Sequence, residues 1–195
     1  MTICVFHNGI LAADTTTTNR VLDTRLQAVK LHRCKNTYTA NEEKTLIAKW
    51  LCFSGDSSNL AGCLSILSTG ISLNQFAEII AGATLLISGG LSLGFLMDDG
   101  SFLHLSKAGK ITPAAKTARK AMGGGSSLFK NGYDDDKTLS AAERTWLSAR
   151  LIDGCGGDVM YVTPDSDELK VFNPDKQSIK RMTAILTKEL LNKHN

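Results

Sequence analysis

Residues 2–7 alternate loosely between apolar and polar positions, are rich in β-formers, and break at Asn8-Gly9. Asn-Gly is the strongest two-residue hairpin signal, because both positions must take positive φ. The segment 10–16 is therefore predicted to return as a second strand, and the four threonines at 15–18 favour extended chain at its end. Another hairpin is predicted over about 29–53, with the polar stretch 36–44 as its loop. Asp56-Ser57-Ser58 then caps a helix over about 57–69, whose stripe of Leu60, Cys63, Leu64 and Leu67 repeats at helical spacing. A second helix over about 73–81 carries Phe76, Ile79 and Ile80 on one face.

Strands are predicted again at about 84–88, 91–97 and 102–106, separated by Gly89-Gly90 and Asp98-Asp99-Gly100. Ser140 and Glu143 have capping-box spacing and open a helix reaching about Ile152. Strands at about 158–163 and 168–172 precede a last helix near 175–192. Short hairpin connections argue for antiparallel sheets rather than βαβ winding. The order fits an α+β fold, a four-layer αββα sandwich of two antiparallel sheets flanked by helices. Nothing in the pattern divides the 195 residues, which read as a single domain over 1–195.

Composition narrows the function classes. The apolar fraction of 43% is that of a globular chain, and the longest apolar stretches, such as 83–88, are too short to span a bilayer. No signal peptide is expected, and the expected location is cytoplasmic, without membrane association. The net charge of +3 is small, and the basic cluster of Lys116, Arg119 and Lys120 has no interleaved aromatics, so nucleic acid is not an expected partner. The five cysteines are odd in number and lack C-x-x-C or Cys/His metal spacing. They suit reduced, buried thiols. The four histidines are scattered, and neither a metal nor a cofactor is implied.

The chemistry begins at the second residue. A small residue after Met1 permits removal of the initiator, which would leave Thr2 with a free α-amine. Such an amine has a pKa near ~8 and can take the hydroxyl proton directly or through a water, so that Thr2 supplies both nucleophile and base.

Thr2, Asn8-Gly9, Leu11-Ala12-Ala13-Asp14, Lys30 and Ser54-Gly55 together resemble the proteasome β-subunit and HslV peptidase family of N-terminal-nucleophile hydrolases, particularly its compact bacterial and phage members. The Leu-Ala-Ala-Asp block is typical of that family, and the interval from Asp14 to Lys30 matches its spacing. The resemblance implies a catalytic trio of Thr2, Lys30 and Asp14. Lys30 would favour the alkoxide-like hydroxyl and lower the amine's pKa by like-charge repulsion. Asp14 would orient and neutralise Lys30. Gly55 would present its N–H to the developing oxyanion, a donor of a kind worth roughly 3–4 kcal/mol. Thr18 matches a position that binds substrate backbone as an added strand, and Thr16, Ala28, His32 and Phe53 align with pocket walls.

Two positions depart from the family pattern. Where the family carries Gly-Ser-Gly, this chain has Gly123-Gly124-Gly125, so Gly124 replaces an assisting hydroxyl, with Ser126 or Ser127 as the nearest substitutes. Where it carries Asp-x-x-Ser-Gly, Cys155 falls at the Ser and Asp153 is displaced by one place. Cys155, with no His partner in its glycine-rich setting, reads as a replaced hydroxyl rather than a reactive thiol.

The resemblance implies a threonine peptidase that self-assembles into a ring or stacked rings, takes peptides or unfolded proteins, and has an unfoldase as a candidate partner. The alternatives are a catalytically silent ring-forming protein, motivated by Gly124 and Asp153, and a small-molecule amidase on the same fold.

Overall fold

The computed structural model describes residues 2–19, 24–41, 44–87, 89–126, 138–152 and 155–193. Met1, Ser127 and Asp153, which bear on the predicted chemistry, lie outside the described residues.

Strand β1 (Cys4–His7) turns back through Asn8 (φ 51°) and Gly9 (φ 72°) into β2 (Ile10–Asp14), the hairpin that Asn-Gly predicts. Both strands are buried on both faces. Ile3, Val5 and Ala12 pack under a helix, while Cys4, Phe6, Leu11 and Ala13 face a second sheet. The threonine run forms β3 (Thr16–Asn19), paired with β4 (Thr24–Gln27) in a separate two-stranded ribbon. The predicted strand 10–16 therefore ends at Asp14.

Beyond β5 (Leu31–Arg33), the expected loop 36–44 is largely strand. Here β6 (Thr37–Asn41) runs antiparallel to β7 (Lys44–Gly55), which also pairs with β5 and with β8 (Leu91–Met97). Helices α1 (Ser58–Ser68) and α2 (Leu73–Gly82) cover the outer face of this sheet through Cys63, Leu67, Phe76 and Ile80. Asp56 Oδ1 accepts from the Ser58 N–H at 3.0 Å at the start of α1, whereas Ser57 makes no side-chain cap bond.

No strand forms over residues 84–87, the described part of the predicted strand at 84–88. Residues 84–86 form a turn instead, with the Leu86 and Ile87 N–H groups donating to Ala83 O and the Thr84 hydroxyl donating to Ile80 O. Carbonyls left over at the end of α2 capture these donors before they can join a sheet.

After β9 (Phe102–Ser106), two strands that apolar patterning missed, β10 (Ile111–Ala114) and β11 (Arg119–Met122), lie at the edges of different sheets. Helix α3 (Ala141–Leu151) opens on the expected capping box of Ser140 and Glu143. Its alanines sit against β1 and β2. β12 (Val159–Val162) and β13 (Lys170–Val171) extend the first sheet, and α4 (Lys176–Lys193) buries Met182 against Leu139 and Leu147 of the α3 region.

The sheets have strand orders β11-β1-β2-β12-β13 and β10-β9-β8-β7-β5, with β6 on the far part of β7. A core of Cys4, Phe6, Leu11, Trp50, Cys52, Leu96 and Phe102 lies between them, and the rings of Phe6 and Phe102 stack at 4.8 Å. The architecture is the α+β, four-layer αββα sandwich. Among the described residues no helix is long and apolar enough to cross a membrane.

Candidate active site

Asp14 closes β2 with no solvent exposure at all. A carboxylate there requires donors on every side, and it has them. Oδ1 accepts from the Ile3 N–H at 2.9 Å and from Lys30 Nζ at 2.7 Å, while Oδ2 accepts from the Gly156 N–H at 3.1 Å. The Asp14 N–H returns a bond to Ile3 O at 3.2 Å, which ties the residue after Thr2 to Asp14 by both backbone and side chain. Lys30 is 6% exposed and also donates to the Thr16 carbonyl. The Lys30 carbonyl accepts from the Phe53 N–H at 3.3 Å, which anchors it beside the end of β7.

Thr2 is half-buried at the head of β1. Gly123, following β11 with φ 93°, lies against it so closely that a Cβ there would come within 2.1 Å of Thr2 O and 2.8 Å of Ser54 Oγ. The start of β1, the end of β7 and the turn after β11 therefore meet at one point. Gly55, the last residue of β7, is exposed, and a Cβ on it would stand 2.0 Å from Gly90 O. Only glycine satisfies both contacts.

No protein-family model matches the chain, and no curated protein matches it in sequence. Solved structures do match. The Anbu (Gly-1) mutant from Hyphomicrobium sp. strain MC1 superposes with a TM-score of 0.62 at 16% identity, over 100% of this chain and 97% of that one. Another Anbu structure from the same organism gives 0.61 at 16% identity, over 100% and 97%. Anbu (ancestral beta-subunit) from Yersinia bercovieri gives 0.59 at 15% identity, over 98% and 96%. The chain has the Anbu fold. That fold is proteasome-like, and the likeness does not single out the HslV type.

Within this Anbu-like fold the remaining candidates are spread around the cluster. Thr16 is buried and lends its carbonyl to Lys30. Ala28 is half-buried, with its N–H on Thr15 O at 2.7 Å. His32 is half-buried in β5, and desolvation lowers its pKa against the opposing effect of a Val29 backbone bond. Phe53 departs from its expected place: its side chain is 5% exposed and packs into the helix-side core with Leu51 and Leu93, not along a cleft. Alternation along β7 explains this, because Cys52 and Ser54 take the opposite face. Thr18 sits opposite Arg25 in the β3–β4 ribbon.

Gly124 begins a 3₁₀ turn, Gly124–Ser126, in which the Ser126 N–H donates to Gly123 O at 3.0 Å and the residue is half-buried. Cys155 is 4% exposed, and burial, followed by the nearby Asp14 charge, pushes its thiol up to about 11. A thiol held protonated in this way is a poor nucleophile. The donors from Ile3 and Gly156 and the close approach of Gly123 went unread in the sequence. The only signals for them were the glycine runs at 123–125 and 154–157. Among the described residues no three His, Cys, Asp or Glu side chains gather as a metal site.

Proposed function

We propose that the chain is a threonine-type peptidase in which Thr2, exposed by removal of Met1, attacks the scissile carbonyl. The observation that carries this reading is the buried Asp14 carboxylate, which holds the Lys30 ammonium at 2.7 Å and the Ile3 N–H at 2.9 Å, one residue from Thr2. An ammonium neutralised and fixed at that position favours a developing alkoxide at the head of β1 and disfavours a second cation on the free amine. The amine takes the hydroxyl proton and the Gly55 N–H receives the oxyanion. As the tetrahedral adduct collapses the C–N bond breaks, the α-ammonium passes that proton to the leaving nitrogen, and an ester is left on Thr2. Water activated by the same amine then hydrolyses that ester.

The β3–β4 ribbon places Thr18 opposite Arg25, and in this reading a substrate peptide adds to the ribbon as a further strand at Thr18. Self-assembly into a ring, and an unfolded-protein substrate fed by an unfoldase, belong to the same reading by way of the Anbu-like fold.

A peptide β-lactone tests the nucleophile directly. Ring opening by the Thr2 hydroxyl adds the full inhibitor mass, and digestion should place the adduct on the N-terminal peptide beginning at Thr2. Retained Met1 with no adduct would favour the silent ring-forming reading, for which Gly124 and the protonated Cys155 thiol speak. Gly123→Ala should reduce kcat/KM by about 100-fold or more, because its methyl group forces Thr2 to move by the order of an ångström. Steady-state kinetics on a fluorogenic peptide check this.

A further inference from the structure

A small pocket opens where the edge strands of the two sheets overlap, lined by Phe102, His104, Thr112, Lys120, Ala121 and Met122. Its floor is apolar, and the Phe102 ring stacks on Phe6. Its polar groups can all donate. Lys120 is exposed on β11, Thr112 stands opposite His104 in the β9–β10 pair, and His104 Nε2 lies 2.7 Å from Ser92 Oγ. Among the described residues no Asp or Glu lines it. The groups facing His104 are Ser92 and Thr112 on its own sheet, and Lys120 and Met122 across the gap, of which Lys120 alone carries charge. Burial, and then the Lys120 ammonium, lower the pKa of His104. The pocket therefore holds one cation and a second site that an incoming anion would help to protonate.

Its position gives the anion an identity. Met122 is followed by Gly123, the residue that touches Thr2, and Lys120 lies opposite Phe6 on β1. Phe6 stands four residue steps from Thr2, about 13 Å at ~3.3 Å per residue. An extended peptide bridges that span with about four residues. In the sheet order β11 and β2 flank β1 on opposite sides. The Thr16 N–H on Gly156 O holds the start of β3 on the β12 side of the sheet, so β11 and its pocket lie on the other side of β1.

We propose that the pocket between β9, β10 and β11 binds a peptide carboxylate, on the side of Thr2 opposite the β3 edge. Lys120 supplies charge, Thr112 and His104 supply hydrogen bonds, and Phe102 and Met122 take the apolar part of the residue that bears the carboxylate. The inference rests on the peptidase reading for its substrate class, but it is tested by binding alone.

The test uses the full-length Thr2→Ala protein, which leaves peptides intact, and three probes: N-acetyl-trialanine with a free C-terminus, the same peptide amidated, and N-acetyl-Ala-Glu-Ala-amide. Calorimetry should show the free acid binding about tenfold tighter than the neutral amide, in the range of a hydrogen bond to a charged group. Imidazole NMR should show the His104 titration moving to higher pH in its presence. Lys120→Gln, an exposed replacement that leaves the core untouched, should erase the difference between acid and amide. The Glu-bearing amide distinguishes sources: binding like the free acid assigns the pocket to side-chain carboxylates, and binding like the neutral amide assigns it to chain ends. Equal binding of all three probes, or a difference that survives Lys120→Gln, overturns the proposal. Should that happen while hydrolysis stays Thr2-dependent, the pocket alone is lost. Should Thr2→Ala keep full turnover, the nucleophile is lost and the binding result still stands.

Discussion

Thr2→Ala is expected to lower kcat for peptide hydrolysis by at least ~10⁴-fold, the scale seen when a covalent nucleophile is removed, while leaving the unfolding midpoint within a few degrees of the parent. The two outcomes separate because Thr2 contributes to the fold through its backbone. Its carbonyl lies against Gly123, and the next residue carries the bonds to Asp14. Alanine keeps all of these and is still small enough for Met1 to be removed, so the amine, Lys30 and Asp14 remain in place without a hydroxyl to activate. Thr2→Ser, which restores the hydroxyl, is expected to recover activity to within about one order of magnitude on the scale of general-base effects. Intact mass spectrometry to verify the N-terminus, followed by fluorogenic peptide turnover, decides the matter. An alanine variant with unchanged turnover would exclude Thr2 as nucleophile and remove the proposed function.

The parts of this site that were legible in the sequence are those written in side chains with narrow conformational or chemical demands. Asn8-Gly9 announced the first hairpin because few other pairs accept φ of 51° and 72° in succession. Asp14 and Lys30 are each ordinary residues for a turn or a surface. Their pairing became readable only through a resemblance that spanned several segments, and the structure supplies the distance of 2.7 Å that spacing cannot. Ser140 and Glu143 announced α3 because a capping box is a two-residue signal with one geometry.

What stayed hidden was carried by the backbone or by edges. The N–H groups of Ile3 and Gly156 complete the Asp14 cluster, and a backbone donor leaves no mark in composition. β10 contains Pro113 and β11 contains Arg119 and Lys120, residues that argue against a central strand. Both strands form, because each is outermost in its sheet among the described residues, a position that tolerates proline and charge. The apolar residues Leu85 and Leu86 invited a strand, yet they are 98% and 88% exposed on the turn after α2. Their hydrophobicity was a false guide, since the end of the helix had already claimed the backbone.

Asp14→Asn is expected to destabilise the protein by about 3–5 kcal/mol, the cost of removing one member of a buried ion pair. That loss would consume much of the ~5–15 kcal/mol that holds a typical domain together. The reason is asymmetric. Lys30 is 6% exposed and its ammonium faces the Asp14 carboxylate and the Thr16 carbonyl, so a neutral amide at position 14 leaves a buried charge without a counter-ion. Lys30→Met removes that charge and leaves the carboxylate its two backbone donors at 2.9 and 3.1 Å, which predicts a smaller loss. The double variant, Asp14→Asn with Lys30→Met, has no unpaired charge and keeps an amide oxygen for the Ile3 N–H. It should regain most of the stability lost by Asp14→Asn alone, giving a coupling of about 2 kcal/mol or more in a urea-unfolding cycle. Activity should follow a different rule. All three variants are expected to be inactive, since each lacks the neutralised ammonium that the proposed mechanism requires. Stability that recovers while turnover does not would mark the pair as chemical in purpose. An Asp14→Asn protein as stable as its parent would instead mean that water reaches the pair, contrary to the burial on which the proposed chemistry depends.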